Sequence, residues 1–204
     1  TGLPNRVNFQ LELKHQLEIA RANGGQLGVV AIDLNHFKEI NDVHGHQAGD
    51  QVLLLVAQRM ASQLGRNEMI ARFGGDEFVA LICFEHRAQL TAFPDRLKTV
   101  LETPLALGQF EARVGASFGV AVYPTDAGDA ETLMNNADLA MYRAKTQRSP
   151  APCYYDAPLD EAIQTIPYET IAAFLSRPRF IEKREIDDMP YIVALREGLI
   201  GSAG

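Results

Sequence analysis

Three acidic side chains stand where strand-like segments of the sequence end. Asp33 follows the apolar run QLGVVAI, and Asp76 and Glu77 follow a Gly-Gly pair that separates two further strand-like runs. A Gly-Gly pair in that setting predicts a hairpin turn. If the strand and the hairpin are neighbours in one sheet, the carboxylates converge at one edge and repel each other unless a cation lies between them. Mg²⁺ suits such a place beside a phosphate, because it prefers oxygen ligands and takes only a few from the protein.

Each of these acids also has a purely structural interpretation. Asp33 could cap the helix that follows it, since Asp is a favoured N-cap residue. Asp76 and Glu77 could be ordinary turn residues, because turns favour Asp whatever their function. The spacing alone leaves these interpretations open beside the metal site.

A second polar cluster runs from Asp33 to Asp50, as DLNHFKEINDVHGHQAGD. Asn41 and Asp50 suit a guanine edge, because a carboxylate accepts from its N–H donors and an amide serves either donor or acceptor. Lys38 offers a point charge for phosphate, to which loop N–H groups can add. The alternative is a polar loop with helix caps at Asn35 and Asp50.

The histidines and cysteines do not favour a zinc site. His44 and His46 have no cysteine or further histidine close to them in the sequence, and Cys83 and Cys153 are far apart. Cys83 lies in an apolar strand pattern and is predicted to be a core residue. Two cysteines without a disulfide or metal spacing indicate a reducing compartment, so a cytoplasmic location is expected.

The elements that must position these residues alternate along the chain. Apolar residues at helical spacing predict long helices, a short helix with a loop is expected at 36–46, and Pro94 is a candidate helix break. Helices packed on a central sheet, an α/β (α+β) arrangement, follow from this order. The predicted long helices lie within 3–25, 48–65, 87–104 and 129–145, and the strands within 26–34, 69–83 and 110–124, the last of these holding one or two.

Composition sets the limits of the chain. It has 204 residues and a net charge of −7, which argues against general binding of nucleic acid or of an anionic membrane. Its apolar runs are too short to span a bilayer. The proline-rich stretch 149–158 is expected to connect a domain, residues 1–156, to a partly helical tail of unknown role, residues 157–204. Because the chain opens at Thr1 without methionine, an upstream sensory or dimerising segment is expected to be missing.

The sequence resembles the GGDEF family of diguanylate cyclases over about residues 1–156. GGDEF itself stands at 74–78, and four further segments occur in the family's order and spacing: TGLPNR, the stretch 33–50, SFGVAVYP and NNADLAMYRAK. The resemblance implies a fold like the palm of nucleotidyl cyclases, with a mostly antiparallel sheet flanked by helices. It also implies the condensation of two GTP into cyclic di-GMP with release of pyrophosphate.

The same resemblance implies roles for individual residues. The metal, Mg²⁺ with Mn²⁺ as an alternative, would be held by Asp33, Asp76 and the main-chain carbonyl of Leu34. Glu77 would be the second catalytic acid. Because each domain holds one GTP, self-association into a catalytic dimer is expected. The residues implied to contact substrate are Asn41 and Asp50 at guanine, Phe37, Lys38 and Lys145 at the phosphates, Gly74 and Gly75 in the turn, and His46 as a weaker match, with Lys38 also counted as catalytic.

Two departures from the family pattern affect these expectations. Arg148 and Ser149 stand where the family commonly has Gly-Arg, so one phosphate contact is expected to be lost unless Arg148 reaches it from the neighbouring position. Where many members carry an Arg-x-x-Asp product site, this chain has Gly65 and Glu68, with Arg66 shifted by one position, so Glu68 is expected to lack its Arg partner.

Two other functions therefore stand beside the cyclase. One is a weak or inactive GGDEF domain that binds GTP or regulates another protein. The other is a nucleotidyl cyclase for a different base, against which Asp50 argues because its carboxylate suits guanine.

Overall fold

The structure, a computed structural model, describes residues 1–108 and 110–164. Residues Thr1–Tyr155 form one compact unit, and Asp156 begins a second. Most of the predicted tail lies outside the described residues. The helices are α1 (Arg6–Asn23), α2 (Phe37–His44), α3 (His46–Ala61), α4 (Arg87–Leu101), α5 (Ala130–Thr146) and α6 (Ala157–Gln164). The strands are β1 (Gln26–Asn35), β2 (Glu68–Gly74), β3 (Glu77–Phe84), β4 (Leu105–Leu107), β5 (Phe110–Ala112), β6 (Gly115–Tyr123) and β7 (Cys153–Tyr154).

The central sheet has the strand order β2-β3-β1-β6-β7. β1 lies in the middle and runs antiparallel to both β3 and β6, while the short β7 is parallel to β6. β4 and β5 form a separate two-stranded hairpin. The expectation of a mostly antiparallel sheet flanked by helices is confirmed.

Helices cover both faces of this sheet, and β1 is buried almost throughout because it contributes to both layers. Val30, Ile32 and Leu34 belong to the core shared with α2, α3 and α4. Val29 and Ala31 belong to the opposite core, shared with α1 and α5. Since side chains alternate along a strand, Asp33 lies on the α1 and α5 face.

Gly119 in β6 allows α5 to rest directly on the sheet. A Cβ atom at this position would lie 2.0 Å from the backbone nitrogen of Met141 and 2.2 Å from the carbonyl oxygen of Ala137. Both distances are far below van der Waals contact, so the residue must lack a side chain. The backbone of α5 is thereby held at a fixed height above β6.

The helices and strands predicted from the sequence are present, but two helices differ from the prediction and the short strands β4 and β7 were not predicted. Pro94 lies inside the uninterrupted α4, so the predicted break there is wrong: Leu90, Phe93 and Leu97 on both sides of it are fully buried and hold the helix across the missing hydrogen bond. α3 begins at His46, earlier than predicted, directly after Gly45. Within the described part of the chain, no helix has both the length and the apolar character that crossing a bilayer requires.

Candidate active site

The β2–β3 hairpin brings its acids to the end of β1. In the antiparallel pairing of β1 with β3, Asp33 lies directly opposite Glu77. Just beyond this pair, the backbone N–H of Leu34 donates to the carbonyl oxygen of Asp76 at 3.2 Å. Because paired residues project from the same face of a sheet, the side chains of Asp33 and Glu77 lie on the same side. One edge of the sheet therefore carries Asp33, Asp76 and Glu77 together.

Arg72 fixes the conformation of the turn that carries Asp76. Its Nε and Nη2 donate to the carbonyl oxygen of Gly75 at 3.0 Å and 2.8 Å. Its backbone N–H donates to the carbonyl oxygen of Pro4 at 3.0 Å. Gly75 has a φ of 45°, a conformation that glycine adopts without strain, and a side chain at Gly74 would meet nothing within 4 Å. Arg72 thus stabilises the turn through hydrogen bonds, while the space beside Gly74 is open and leaves room for a substrate.

Lys145 reaches this edge from the last turns of α5. Its Nζ lies 2.8 Å from Oδ1 of Asp33, in an ion pair whose side chains are 29% and 5% exposed respectively. Oδ1 is buried and accepts no hydrogen bond of regular geometry. Lys145 therefore forms an ion pair with a buried carboxylate oxygen, and its charge lowers the pKa of Asp33.

The acids are short of compensating positive charge. Burial, with a smaller contribution from the charge of Asp76, raises the pKa of Asp33 to about 6 against the lowering influence of Lys145. Burial also raises the pKa of Glu77, as do the charges of Asp33 and Asp76, while Arg6 and Lys145 act in the opposite direction. Such a group of carboxylates favours the arrival of a cation.

This edge fits a magnesium ion that takes most of its ligands from elsewhere. Among the described residues, no three Asp, Glu, His or Cys side chains come together in a way that could hold a metal alone. Mg²⁺ commonly takes one or two carboxylates from the protein and the rest from phosphates and water. The ligands implied by the family resemblance, the carboxylates of Asp33 and Asp76 and the main-chain oxygen of Leu34, are a donor set of that kind.

A single residue joins β1 to α2. His36 has a φ of 64° in the left-handed region and forms the N-cap of α2 without a side-chain cap hydrogen bond. Asp33 therefore does not cap this helix, and that alternative is wrong. The abrupt turn places Phe37 and Lys38 in the first turn of α2, with Phe37 buried and Lys38 partly exposed.

The residues expected at guanine lie on the two packed helices, Asn41 on α2 and Asp50 on α3. Asn41 lies against Gly49, so closely that a Cβ atom on Gly49 would be 1.9 Å from Oδ1 of Asn41. Asp50 is the next residue and is exposed, as is His46 at the start of α3. Gly45 is the N-cap of α3, so Asp50 does not cap it.

Asn35 is no helix cap either. Its Oδ1 accepts a hydrogen bond from Oγ of Ser117 at 3.0 Å, across the β1–β6 pairing. Both cap interpretations in the stretch 33–50 are therefore wrong, because the N-cap positions of α2 and α3 are occupied by His36 and Gly45. Asn41 and Asp50 are left with side chains that serve no cap.

Glu68 has an arginine partner, contrary to the expectation from the sequence. Nη2 of Arg96 on α4 donates to both carboxylate oxygens of Glu68 at 2.7 Å. The backbone N–H of Gly65 donates to the same carboxylate at 2.6 Å. The shifted Arg66 is not needed, since an arginine distant in sequence completes the pair.

The end of α5 departs from the family pattern as the sequence indicated. Arg148 has a φ of 49°, and the backbone N–H of Ser149 donates to the carbonyl oxygen of Ala144 at 2.8 Å. Oγ of Ser149 donates to the carbonyl oxygen of Ala151 at 2.8 Å. Ser149 therefore cannot replace the family's arginine at this position, because it has no guanidinium and its hydroxyl is bonded within its own loop.

Two charged residues of this region, Asp138 and Arg6, were not assigned to the candidate site from the sequence. Asp138 lies on α5, and burial together with the charge of Glu77 raises its pKa to about 7, while Arg6 lowers it. The guanidinium of Arg6 also packs 4.5 Å from the ring centre of Phe73. Asp138 precedes Lys145 by two helical turns, so helical spacing from the implied phosphate contact was the signal that could have found it.

Comparison with known proteins gives consistent matches. Residues 1–150 match the family described as "Diguanylate cyclase, GGDEF domain". Diguanylate cyclase TpbB of Pseudomonas aeruginosa is 38% identical over 72% of this chain and 34% of its own length. Cyclic di-GMP phosphodiesterase NbdA of the same species is 40% identical over 71% of this chain and 18% of its own. The chain thus spans only a minor part of these curated relatives.

Solved structures agree with these sequence matches. The GGDEF domain of TpbB, also called YfiN, from Pseudomonas aeruginosa superposes with a TM-score of 0.78 at 35% identity, over 81% of this chain and 97% of that one. A sensory box/GGDEF family protein from Caulobacter crescentus superposes with a TM-score of 0.69 at 42% identity, over 72% of this chain and 96% of that one.

Proposed function

The chain belongs to the GGDEF family of diguanylate cyclases, and from this premise we propose that it condenses two GTP molecules into cyclic di-GMP with release of pyrophosphate. The observation that carries the proposal is the meeting of Asp33, Asp76 and Glu77 at one sheet edge, with Lys145 against Asp33. Such an edge is suited to phosphate chemistry, because its carboxylates attract a divalent cation and its lysine attracts the phosphates.

In this proposal, each residue has a task set by its place. Asp33, Asp76 and the carbonyl of Leu34 hold Mg²⁺, with Mn²⁺ as an alternative. When bound, the ion neutralises phosphate charge and lowers the pKa of the attacking 3′-hydroxyl. Glu77 accepts the proton of that hydroxyl, because it lies directly opposite Asp33 in the pairing of β1 with β3. The triphosphate is oriented by the start of α2, with Phe37 and Lys38, and by Lys145, while Gly74 and Gly75 leave space for it.

Asn41 and Asp50 are proposed to bind the guanine edge, with His46 nearby as a weaker candidate. Gly49→Ala tests this without removing either group. The new Cβ would displace the Asn41 amide, so we expect GTP binding to weaken about 5- to 150-fold, the cost of roughly 1–3 kcal/mol for a lost buried hydrogen bond. The new Cβ would also lie 3.2 Å from Cζ of Phe37, a contact that a shift of a few tenths of an ångström relieves, and alanine favours a helix more than glycine does.

The measurement for Gly49→Ala is calorimetric titration with a non-hydrolysable GTP analogue, next to the unfolding midpoint of both proteins. Gly128→Ala serves as the control, because a Cβ there meets nothing within 4 Å. Equal affinity of Gly49→Ala and the parent protein would place the base elsewhere.

The experiment that tests the function is incubation with GTP and Mg²⁺, followed by chromatographic separation of the nucleotides at several protein concentrations. We expect cyclic di-GMP and pyrophosphate. Specific activity should rise with protein concentration, because two GTP-loaded domains must meet. Turnover that does not depend on concentration in a monomeric protein would contradict the dimer, and unchanged GTP at every concentration would contradict the cyclase.

A non-catalytic GTP-binding or regulatory module is the second candidate. It is favoured by Arg148 and Ser149 in place of the family's Gly-Arg, which removes one phosphate contact. In the same experiment it would bind GTP and return it unchanged. An upstream sensory segment and a cytoplasmic setting remain predictions from the sequence.

Product inhibition through the family's Arg-x-x-Asp position is expected to be absent. Gly65 has no side chain, and Glu68 is already bound by Arg96 and by the N–H of Gly65. Titration of cyclic di-GMP into initial-rate assays at several GTP concentrations should show at most competitive inhibition. Inhibition that GTP does not relieve, and that Arg96→Ala or Arg66→Ala removes, would show that the site still forms.

A further inference from the structure

Lys145 and the divalent cation of the proposed site are drawn to the same carboxylate, that of Asp33. Nζ of Lys145 lies 2.8 Å from Oδ1 of Asp33, and this oxygen is buried without a regular hydrogen bond. Mg²⁺ binds its oxygen ligands at roughly 2.0–2.1 Å. An ammonium and a divalent ion held that close to one carboxylate would repel each other strongly, because little water lies between them.

Of the two residues in the ion pair, Lys145 is the one that is free to move away. Asp33 is fixed in the middle strand of the sheet, between β3 and β6, and its side chain is only 5% exposed. The side chain of Lys145 is 29% exposed and carries its charge on a flexible four-carbon stem. The backbone of α5 stays in place, because the helix rests directly on Gly119. The exchange thus requires a rotation of one side chain and no movement of the fold.

We propose that Lys145 competes with the divalent cation for Asp33, so that the cation binds tightly only when nucleotide phosphates draw the ammonium away. The identity of the nucleotide rests on the proposed function, whereas the competition rests on the ion pair alone. Lys145 then acts as an internal counter-ion that holds the carboxylate in place before substrate arrives. When the cation and the nucleotide bind together, the ammonium group of Lys145 moves from Asp33 to the phosphates.

A consequence is mutual assistance between the two ligands. If the nucleotide removes the competitor of the cation, it strengthens cation binding, and by thermodynamic linkage the cation strengthens nucleotide binding by the same factor. Without Lys145 this part of the coupling disappears. The cation alone then binds more tightly, while the nucleotide alone loses a phosphate contact.

The test measures Mn²⁺ binding in the absence of nucleotide, by electron paramagnetic resonance of the free ion. In Lys145→Met we expect Mn²⁺ to bind about tenfold more tightly than in the parent protein, which corresponds to about 1.4 kcal/mol. Lys14→Met, which removes the same charge from an exposed position on α1, should bind Mn²⁺ as the parent protein does. Lys145→Arg, which keeps the charge, should also stay close to the parent.

A second measurement repeats the titration with a non-hydrolysable GTP analogue present. The analogue should strengthen Mn²⁺ binding to the parent protein by a larger factor than to Lys145→Met. Lys145→Gln is studied in parallel, and unfolding midpoints identify the folded variants. Unchanged or weaker Mn²⁺ binding in a folded Met or Gln variant, or no Mn²⁺ binding by any protein, would overturn the competition. Tighter Mn²⁺ binding in a protein that forms no cyclic di-GMP would support it while contradicting the proposed function.

Discussion

Replacement of Asp76 by alanine is expected to lower the rate of cyclic di-GMP formation about a thousandfold or more. Asp76 is proposed to hold the divalent cation in a turn whose carbonyl oxygen is bonded to the N–H of Leu34. Loss of one well-placed group that stabilises developing charge commonly costs 10²–10³ in rate, and a displaced metal ion costs more. The change is at a partly exposed turn, so the fold should be retained. The measurement is the initial rate with GTP and Mg²⁺. It is interpreted only if the variant and the parent protein have the same unfolding midpoint.

Asp95→Ala is the matched control for this prediction. It removes the same carboxylate from an exposed position on α4, away from the turn. We expect its rate to stay within about twofold of the parent, since exposed charges at a distance are screened. Near-normal turnover by Asp76→Ala would show that the acid in the turn is not part of the site, and the assignment of Asp33 and Glu77 would fall with it.

The second large effect concerns stability. Gly119→Ala places a Cβ 2.0 Å from the nitrogen of Met141 and 2.2 Å from the oxygen of Ala137, both of them backbone atoms that no side-chain rotation can move. Overpacking of this kind typically costs about 1–3 kcal/mol and sometimes more. Because α5 must lift from β6, we expect about 3 kcal/mol, a fall of about 6–12 °C in the melting temperature. Thermal unfolding followed by circular dichroism measures this shift.

Gly128→Ala separates the effect of the contact from that of losing a glycine. A Cβ at position 128 meets nothing within 4 Å, and this loop residue has no positive φ, so its melting temperature should change by no more than about 2 °C. A small change in Gly119→Ala as well would mean that α5 is not fixed by direct contact with β6. The proposal that Lys145 leaves Asp33 by a side-chain rotation alone would then lose its basis, because the backbone of α5 could move as well.

Much of the framework could be predicted from the sequence, because it follows from local patterns. The apolar run before Asp33 indicated a buried strand, and the Gly-Gly pair before Asp76 indicated the hairpin. Both signals arise within a few residues, from burial on both faces of a strand and from the conformations that glycine allows. The antiparallel sheet and its flanking helices required the family resemblance in addition.

The parts that could not be predicted depend on contacts between distant segments. The pairing of Asp33 with Glu77 follows from the register of β1 on β3, which are not consecutive strands. The Glu68–Arg96 pair joins β2 to α4, and no local pattern in either segment announces it. The cap alternative for Asp33 failed for another reason, since the left-handed φ of His36, which is not a glycine, is seldom signalled by sequence.

Arg72 makes the turn and the start of the chain one unit for protein engineering. Its backbone N–H donates to the carbonyl oxygen of Pro4, and its guanidinium donates to that of Gly75. Arg72 therefore connects the two segments. A graft of the GGDEF hairpin onto another scaffold would need to carry along the TGLPNR segment. Without that segment, Arg72 would lose its backbone hydrogen bond to Pro4. The smallest transferable module of this domain is therefore discontinuous in sequence.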